Sequence, residues 1–471
     1  MNSEVQERPK LLVPFDQYNW PMKYPEWKPF AHQRDTAKFL LLNKRAYNFS
    51  DLGTGKTLSA LWACDFLMLN QKIRKVLIVG PLSTLQSVWG REIFDHFRHR
   101  TYGIAHGNRE QRIQVLRSNV DFVIINHDGV KIVEDEIIRE KFDVIIIDEL
   151  TAFKKHTNER SKSMKRVCDR AKAVWGLTGA PTPNGPTEAF GQARVVNPDN
   201  PFLPRYYTAF AESVETKLGP YLTIPKPEAS KIVNRILQPA IRFVRDECID
   251  IPPVQYQTII TPLTEEQKAV YEKMKSDLIV EFKSGEITAA NAAVKMMKLC
   301  QIAAGGVKDD EGKIIKLDSS TRDEELWRIF EETGKTKLVV FSAFRASVEH
   351  LVEFFEKKKV KVAHIYGNTN QDLRAKHIRD FQDGDLQILV LQPQATAHGI
   401  TLTAANVIVW HSLVASGEIY VQANGRITRA GQKRKQFIIH LIGTKVEKRL
   451  LQIVENKGNM SQEVLDLFAE L

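Results

Sequence analysis

Asp51-Leu52-Gly53-Thr54-Gly55-Lys56-Thr57 stands between a short apolar run, Ala46 to Phe49, and an amphipathic segment, Leu58 to Asn70. A strand-to-helix turn of this kind suits a phosphate chain. The first backbone N–H groups of a helix lack intrahelical partners, and the positive end of the helix dipole favours an anion. Gly53 and Gly55, on either side of Thr54, let the backbone wrap closely around a nucleotide's phosphates, Lys56 reaches the β- and γ-phosphates, and Thr57 offers its hydroxyl to Mg²⁺. The phosphate-loop pattern has glycine five residues before Gly55, where this chain has Ser50; Gly53 is expected to supply the missing flexibility.

Working outward, Val76 to Gly80, Phe122 to Ile125 and Val144 to Ile147 are short β-branched runs without polar alternation, the pattern of strands buried on both faces of a parallel sheet. Leu85 to Phe97 and Asn158 to Ala171 carry apolar residues at helical spacing, completing the βαβ rhythm of a doubly wound α/β sheet. The rhythm returns at Lys337 to Phe341, Val360 to Tyr366, Gln387 to Leu391, Val407 to Trp410 and Phe437 to Ile442, so a second α/β domain is expected. Between the two, 201–251 reads as helix-rich with proline breaks, and Glu265 to Phe282 with Ile287 to Ile302 as a helical hairpin. The expected division is an extension over 1–27, a first domain over 28–255 with a helical insertion at about 195–250, and a second over 256–471 with an insertion at about 264–303.

With 471 residues, 43% hydrophobic and 26% charged, the chain is globular in composition and long enough for two cores. Its 67 basic and 57 acidic residues leave a net charge of +10, compatible with a polyanionic partner. Cys64, Cys168, Cys248 and Cys300 are far apart, which argues against a disulfide framework or a zinc site and fits a reducing cytoplasm. Neither a membrane span nor a signal peptide is expected from the sequence. His96 and His99 read as a solvated helix end.

The run Val144 to Ile147 ends in Asp148-Glu149, and ligands in open α/β sheets bind beyond the carboxyl ends of strands. Asp148 would hold Mg²⁺ and Glu149 would orient and deprotonate the attacking water. Leu177 to Asn184 ends a further strand in a proline-rich turn. His32-Gln33, Asp51 to Thr57, Gly80 to Ser83, Asp148-Glu149, Leu177 to Asn184, His398 to Thr403 and Gln422 to Gln432, in that order, resemble the motif series of superfamily 2 helicases. The wording Leu-Thr-Gly-x-Pro-x-x-Asn and Gln-Ala-x-x-Arg-x-x-Arg-x-Gly-Gln is similar to that of the Swi/Snf family of DNA-translocating ATPases, in its short bacteriophage and bacterial form. Leu150-Thr151 and Gly425 depart from the family pattern.

The resemblance implies two RecA-like parallel-sheet domains in tandem, with helical insertions, that hydrolyse ATP with Mg²⁺. Arg426 and Arg429, three apart, would share one helical face and point at the γ-phosphate, while Gln33 would read adenine and Gln422 would border the nucleotide. Trp20, Tyr24, Trp27 and Phe30 read as core packing. Nucleic acid would meet Pro81 to Ser83, Asn126-His127, Ser342 with Arg345, Gly367-Asn368, and Thr396 with Thr401. Lys154 to Lys172, with eight basic and two acidic residues, reads either as an added electrostatic track or as a solvated helix face. The expected activity is translocation on duplex DNA by a monomer in the cytoplasm, the host's for a viral protein. The alternative is a strand-separating or branch-migrating helicase acting on forks and recombination intermediates. A protein using ATP only as a switch is disfavoured by the complete set of Lys56, Asp148, Glu149, Arg426 and Arg429. Phe341, Phe344 and Trp410, the aromatic candidates for a strand-splitting wedge, read as core or strand residues.

Overall fold

The computed structural model describes residues 12–183, 185–218, 223–248, 252–283, 289–308, 314–396, 400–429 and 432–456. The chain divides into two compact units, Met1–Ile249 and Asp250–Leu471.

In the first unit the strands are β1 (Arg45–Asn48), β2 (Val76–Gly80), β3 (Tyr102–Ala105), β4 (Phe122–Asn126), β5 (Val144–Asp148), β6 (Ala173–Leu177), a hairpin of β7 (Glu215–Lys217) and β8 (Thr223–Pro225), and β9 (Ala240–Ile241). The main sheet runs β3-β4-β2-β5-β6-β1-β9, every pairing parallel. Because successive side chains point to opposite faces, Leu77, Val79, Val123, Ile125, Ile145 and Ile147 join one core layer, and Val76, Ile78, Phe122, Ile124, Val144 and Ile146 the other. That two-sided burial explains why these strands lack polar alternation.

The second unit adds β10 (Val254–Ile260), a hairpin of β11 (Gly306–Lys308) and β12 (Ile314–Lys316), β13 (Leu338–Phe341), β14 (Val362–Ile365), β15 (Ile388–Leu391), β16 (Val407–Trp410) and β17 (Gln436–Ile442). Its sheet, β10-β17-β16-β13-β15-β14, is again wholly parallel, with core on both faces. Both units are therefore RecA-like α/β domains in tandem. β10 straddles the expected boundary at 255/256 and pairs with β17 over its full length, so residues from 250 onward belong to the second unit. The helical hairpin is present as Glu265–Lys283 and Ala289–Ala303.

Three local expectations are corrected. The segment Leu85 to Phe97 is a π-helical turn, Leu85–Gly90, followed by an α-helix, Arg91–His96. Of the N-terminal aromatics, Trp20 packs edge-on against Trp62, but Tyr24, Trp27 and Phe30 are exposed. His96 is not solvated: its side chain is buried, and Nδ1 accepts from the Lys23 backbone N–H at 3.0 Å. Among the described residues no helix is long and apolar enough to cross a membrane.

Candidate nucleotide site and nucleic-acid interface

The phosphate loop leaves β1 and enters the helix Lys56–Leu69 with Gly55 as its N-cap. Gly53 (φ 86°) and Gly55 (φ 82°) both adopt the left-handed conformation that glycine takes without steric cost. A Cβ at Gly55 would lie 2.1 Å from Gln33 Nε2 and displace that side chain, adding to the backbone preference for glycine. Lys56 Nζ donates to the carbonyls of Ser50 (2.6 Å) and Asp51 (3.1 Å), folding the loop around its own ammonium. Thr54 Oγ1 donates to Asp51 O at 2.8 Å. Its carbonyl lies 2.9 Å from His32 Nε2, which therefore carries the proton, and accepts from Gln33 Nε2 at 3.3 Å. Gln33 Oε1 accepts from the Phe30 backbone N–H at 3.0 Å, so both ends of the carboxamide expected to read adenine are engaged within the protein.

Ser50, in the position of the missing glycine, is buried, and its hydroxyl accepts from the Phe243 backbone N–H at 3.1 Å. Asp51 adds a backbone bond to Phe243 O (3.0 Å), and its carboxylate accepts from the Arg245 N–H (3.2 Å).

Asp148 ends β5 on the same edge of the sheet. Its Oδ2 accepts from the indole N–H of Trp89 at 2.9 Å, and its Oδ1 from the Glu149 N–H at 3.1 Å. His127 Nε2 donates to its carbonyl at 2.8 Å. Burial pushes the Asp148 carboxyl above its ordinary pKa, outweighing the Trp89 hydrogen bond and the charge of Lys56. The hydrogen-bond donors on its two oxygens are neutral, and a half-buried carboxylate held by neutral donors at a strand end suits a divalent cation. Glu149 follows in the left-handed conformation (φ 51°), half-buried. The residues present thus fit a magnesium nucleotide: Gly53 to Thr57 for the phosphates, Thr57 and Asp148 for the ion.

In the second unit the arginine pair corrects the helical expectation. The helix Gly417–Asn424 ends before Arg426 and Arg429, which lie in the turns after its cap, Gly425. Arg426 is buried, with Nη1 3.3 Å from Ile400 O, and its own carbonyl accepts from the Leu402 N–H at 2.9 Å. Arg429 Nη1 donates to Thr401 Oγ1 at 2.8 Å. Gln432 Nε2 donates to Ala405 O at 2.8 Å, continuing the wrap around 400–405. Gln422 is buried on the helix and donates to Glu418 at 3.2 Å.

The expected nucleic-acid contacts divide. Ser342 is fully buried and shares a 2.9 Å hydrogen bond with Ser412, so its hydroxyl is turned into the sheet and not toward a ligand. Pro81 is also buried, with its carbonyl taken by Thr84 N–H and Oγ1. Ser83 and Asn126 are half-buried, and Asn126 Oδ1 accepts from Arg112 at 2.9 Å. Arg345 is exposed beside Glu349 (2.8 Å) and lies over the Tyr366 ring, 4.7 Å from its centre; Gly367 and Asn368 are exposed as well. Of the eight basic residues from Lys154 to Lys172, Lys154, Arg160, Lys162, Lys165, Arg166 and Lys172 are paired with carboxylates of their own unit, which favours the solvated face over the electrostatic track. Asn184, His398, Gly399, Ala430, Gly431 and the side chain of Thr396 lie outside the described residues.

Sequence reasoning missed Trp89, His127 as a partner of Asp148, and Gln432 as a clamp. Trp89 looked like one more apolar residue of an expected helix.

Two RecA-like units in one chain, the first carrying a phosphate loop and a strand-end Asp-Glu pair, are the architecture of the helicase-like ATPases. Residues 32–304 match the SNF2-related domain and residues 321–431 the helicase conserved C-terminal domain. The first match alone covers more than half of the chain, which therefore belongs to the SNF2-related family of ATP-using enzymes. It is 27% identical over 472 residues to protein p41 of Acyrthosiphon pisum secondary endosymbiont phage 1, covering 94% of this chain and 98% of that one. A Xenopus tropicalis relative, SWI/SNF-related matrix-associated actin-dependent regulator of chromatin subfamily A-like protein 1, is 24% identical over 87% of this chain, which spans only 42% of that protein's length. A solved structure titled Sulfolobus solfataricus SWI2/SNF2 ATPase core in complex with dsDNA matches 95% of this chain and 96% of its own, at 20% identity and a TM-score of 0.46.

Proposed function

We propose that the chain is a motor that hydrolyses ATP, with Mg²⁺, while tracking along duplex DNA. The observation that carries this is the 2.8 Å bond between Arg429 and Thr401. One of these side chains is assigned to the γ-phosphate and the other to the DNA backbone, so a change at either is felt by the other. Lys56 anchors the β- and γ-phosphates, Thr57 and Asp148 hold the metal, and Glu149 takes the proton of the attacking water. Arg426 and Arg429 are assigned to the γ-phosphate, and Gln33 and Gln422 border the nucleotide. Contacts to the DNA backbone come from the loops at Ser83, Asn126, Arg345, Thr396 and Thr401, and position the duplex without reading sequence. The match to a phage protein fits a host-cytoplasm setting, and the working unit in this reading is a monomer.

Phe341 and Trp410 are fully buried and Phe344 packs partly buried against the same core, so none of the three forms a strand-splitting wedge. Turnover measured with duplex, single-stranded, forked and four-way DNA, and with RNA, tests the reading. Duplex should stimulate, and a third strand should be displaced from a triplex, with weak separation of a tailed duplex. Stimulation by single strands alone, with efficient unwinding of a tailed duplex, would establish the helicase alternative instead. Glu149→Gln should retain ATP while turnover drops about 10²- to 10⁴-fold; wild-type turnover would remove Glu149 as the base.

A further inference from the structure

Two strand-end loops of the first unit, after β2 and after β4, are assigned above to DNA, and side chains following both reach inward to one residue, Asp148. From the first loop the chain runs through the 3₁₀ turn Leu82–Thr84 into the π-helical turn Leu85–Gly90. There the Arg91 N–H bonds back to Gln86 O, five residues earlier. A π-turn is one residue wider than an α-turn and shifts what it carries out of α-helical register; such bulges recur at functional sites. This one carries Trp89, which is fully buried and donates its indole N–H to Asp148 Oδ2 at 2.9 Å. From the second loop, His127 donates to the Asp148 carbonyl at 2.8 Å. Both the carboxylate and the backbone of the residue assigned to the metal are therefore held by the elements assigned to DNA.

We propose that Trp89 is a positioning residue: its indole N–H fixes the Asp148 carboxylate for Mg²⁺ and carries the state of the Pro81–Ser83 loop to it. The proposal rests on the DNA reading for its second half only. A rigid aromatic plate with one donor suits the task, because the donor moves only when the backbone of 85–90 moves. A donor to one oxygen of a metal-holding carboxylate also leaves the other lone pairs for the ion.

The test uses the full chain with Trp89→Phe, which keeps the ring and removes the donor. Binding of a fluorescent ATP analogue is measured with Mg²⁺ and in EDTA, and duplex binding by anisotropy. The gain in nucleotide affinity from Mg²⁺ should fall about 10- to 100-fold, with affinity in EDTA and for duplex unchanged. Duplex should no longer alter the affinity for the magnesium nucleotide, and Trp89→His, which restores a ring N–H, should recover part of both effects. A lower urea midpoint with the Mg²⁺ gain intact means that Trp89 only fills space, and overturns the proposal. In the wild-type chain labelled with ¹⁵N-tryptophan, the Trp89 indole resonance should move on adding Mg²⁺ and again on adding duplex; a resonance that ignores Mg²⁺ overturns the proposal even if the variant does not fold. Failure of the wild-type chain to bind duplex would defeat the DNA reading, and the Mg²⁺ comparison would still decide the role of Trp89.

Discussion

Asp148 in the first unit is a half-buried carboxylate and Asp323 in the second a buried one, and the protein treats them in opposite ways. The oxygens of Asp148 meet an indole and a backbone N–H, and burial raises its pKa. Asp323 faces imidazoles, with His350 Nε2 at 2.7 Å and His411 Nε2 at 3.8 Å, and takes a hydroxyl bond from Ser319 at 3.0 Å. Burial alone would raise Asp323 too, but the hydrogen bond and charge of His350, with the His411 ring close by, outweigh it and hold the carboxyl well below its usual range. His350 is correspondingly raised by its bond to Asp323, while burial keeps the fully enclosed His411 low. One aspartate is held by neutral donors, as suits the cation proposed for it. The other meets its partner within its own fold, the His350 imidazole.

Replacing each by asparagine should separate the two roles. Asp148→Asn is expected to lower turnover by at least about a hundredfold, since on the proposed reading several kcal/mol of transition-state stabilisation pass through the metal assigned to it. Its urea midpoint should hold or rise, because a raised buried carboxyl costs stability when ionised. Asp323→Asn should do the reverse, costing about 1.5–3 kcal/mol of stability for the lost charge-assisted bonds while turnover per folded molecule is kept. An Asp323→Asn protein of wild-type stability would break the contrast.

The pH dependence sharpens it. The depressed pKa of Asp323 gives stability that is present above its unfolded value near 4 and lost as pH falls through the folded value. The raised pKa of His350 gives stability that is complete below about 6.5 and lost as pH rises through its folded value. The stability difference between wild type and Asp323→Asn should therefore be greatest between about pH 4 and 6.5 and shrink on either side, as equilibrium unfolding across pH would show. The smallest expected effect is at Ser50. Ser50→Ala leaves the Phe243 N–H without its acceptor and should cost about 1 kcal/mol, measured by the same unfolding curves.

What was legible in the sequence follows burial. β2, β4 and β5 are interior strands covered on both faces, so each had to be an uninterrupted apolar run. β3, β9 and β10 lie at sheet edges, and β10 is mostly exposed, which lets Gln255 and Gln257 alternate into it and hides it from a search for apolar runs. Lys56, Asp148 and the arginines could be proposed because phosphate and metal chemistry asks for those residue types in that order. Which way a small polar residue at a strand end points is not written in its type, so Ser342 looked the same as one open to solvent. Gly425 did carry a signal: a glycine after Asn424 marks a helix end, and it places Arg426 and Arg429 beyond the helix. No residue pattern announced the π-turn that aims Trp89.

Ser50, which reads as a flaw in the phosphate loop, turns out to be a seam. Its hydroxyl and the backbone and carboxylate of Asp51 are sewn to Phe243 and Arg245, a few residues before the chain passes into the second unit at Asp250. A shift of the 243–245 backbone is therefore felt by the loop assigned to phosphate. A glycine at position 50 would drop the hydroxyl stitch and slacken that rein.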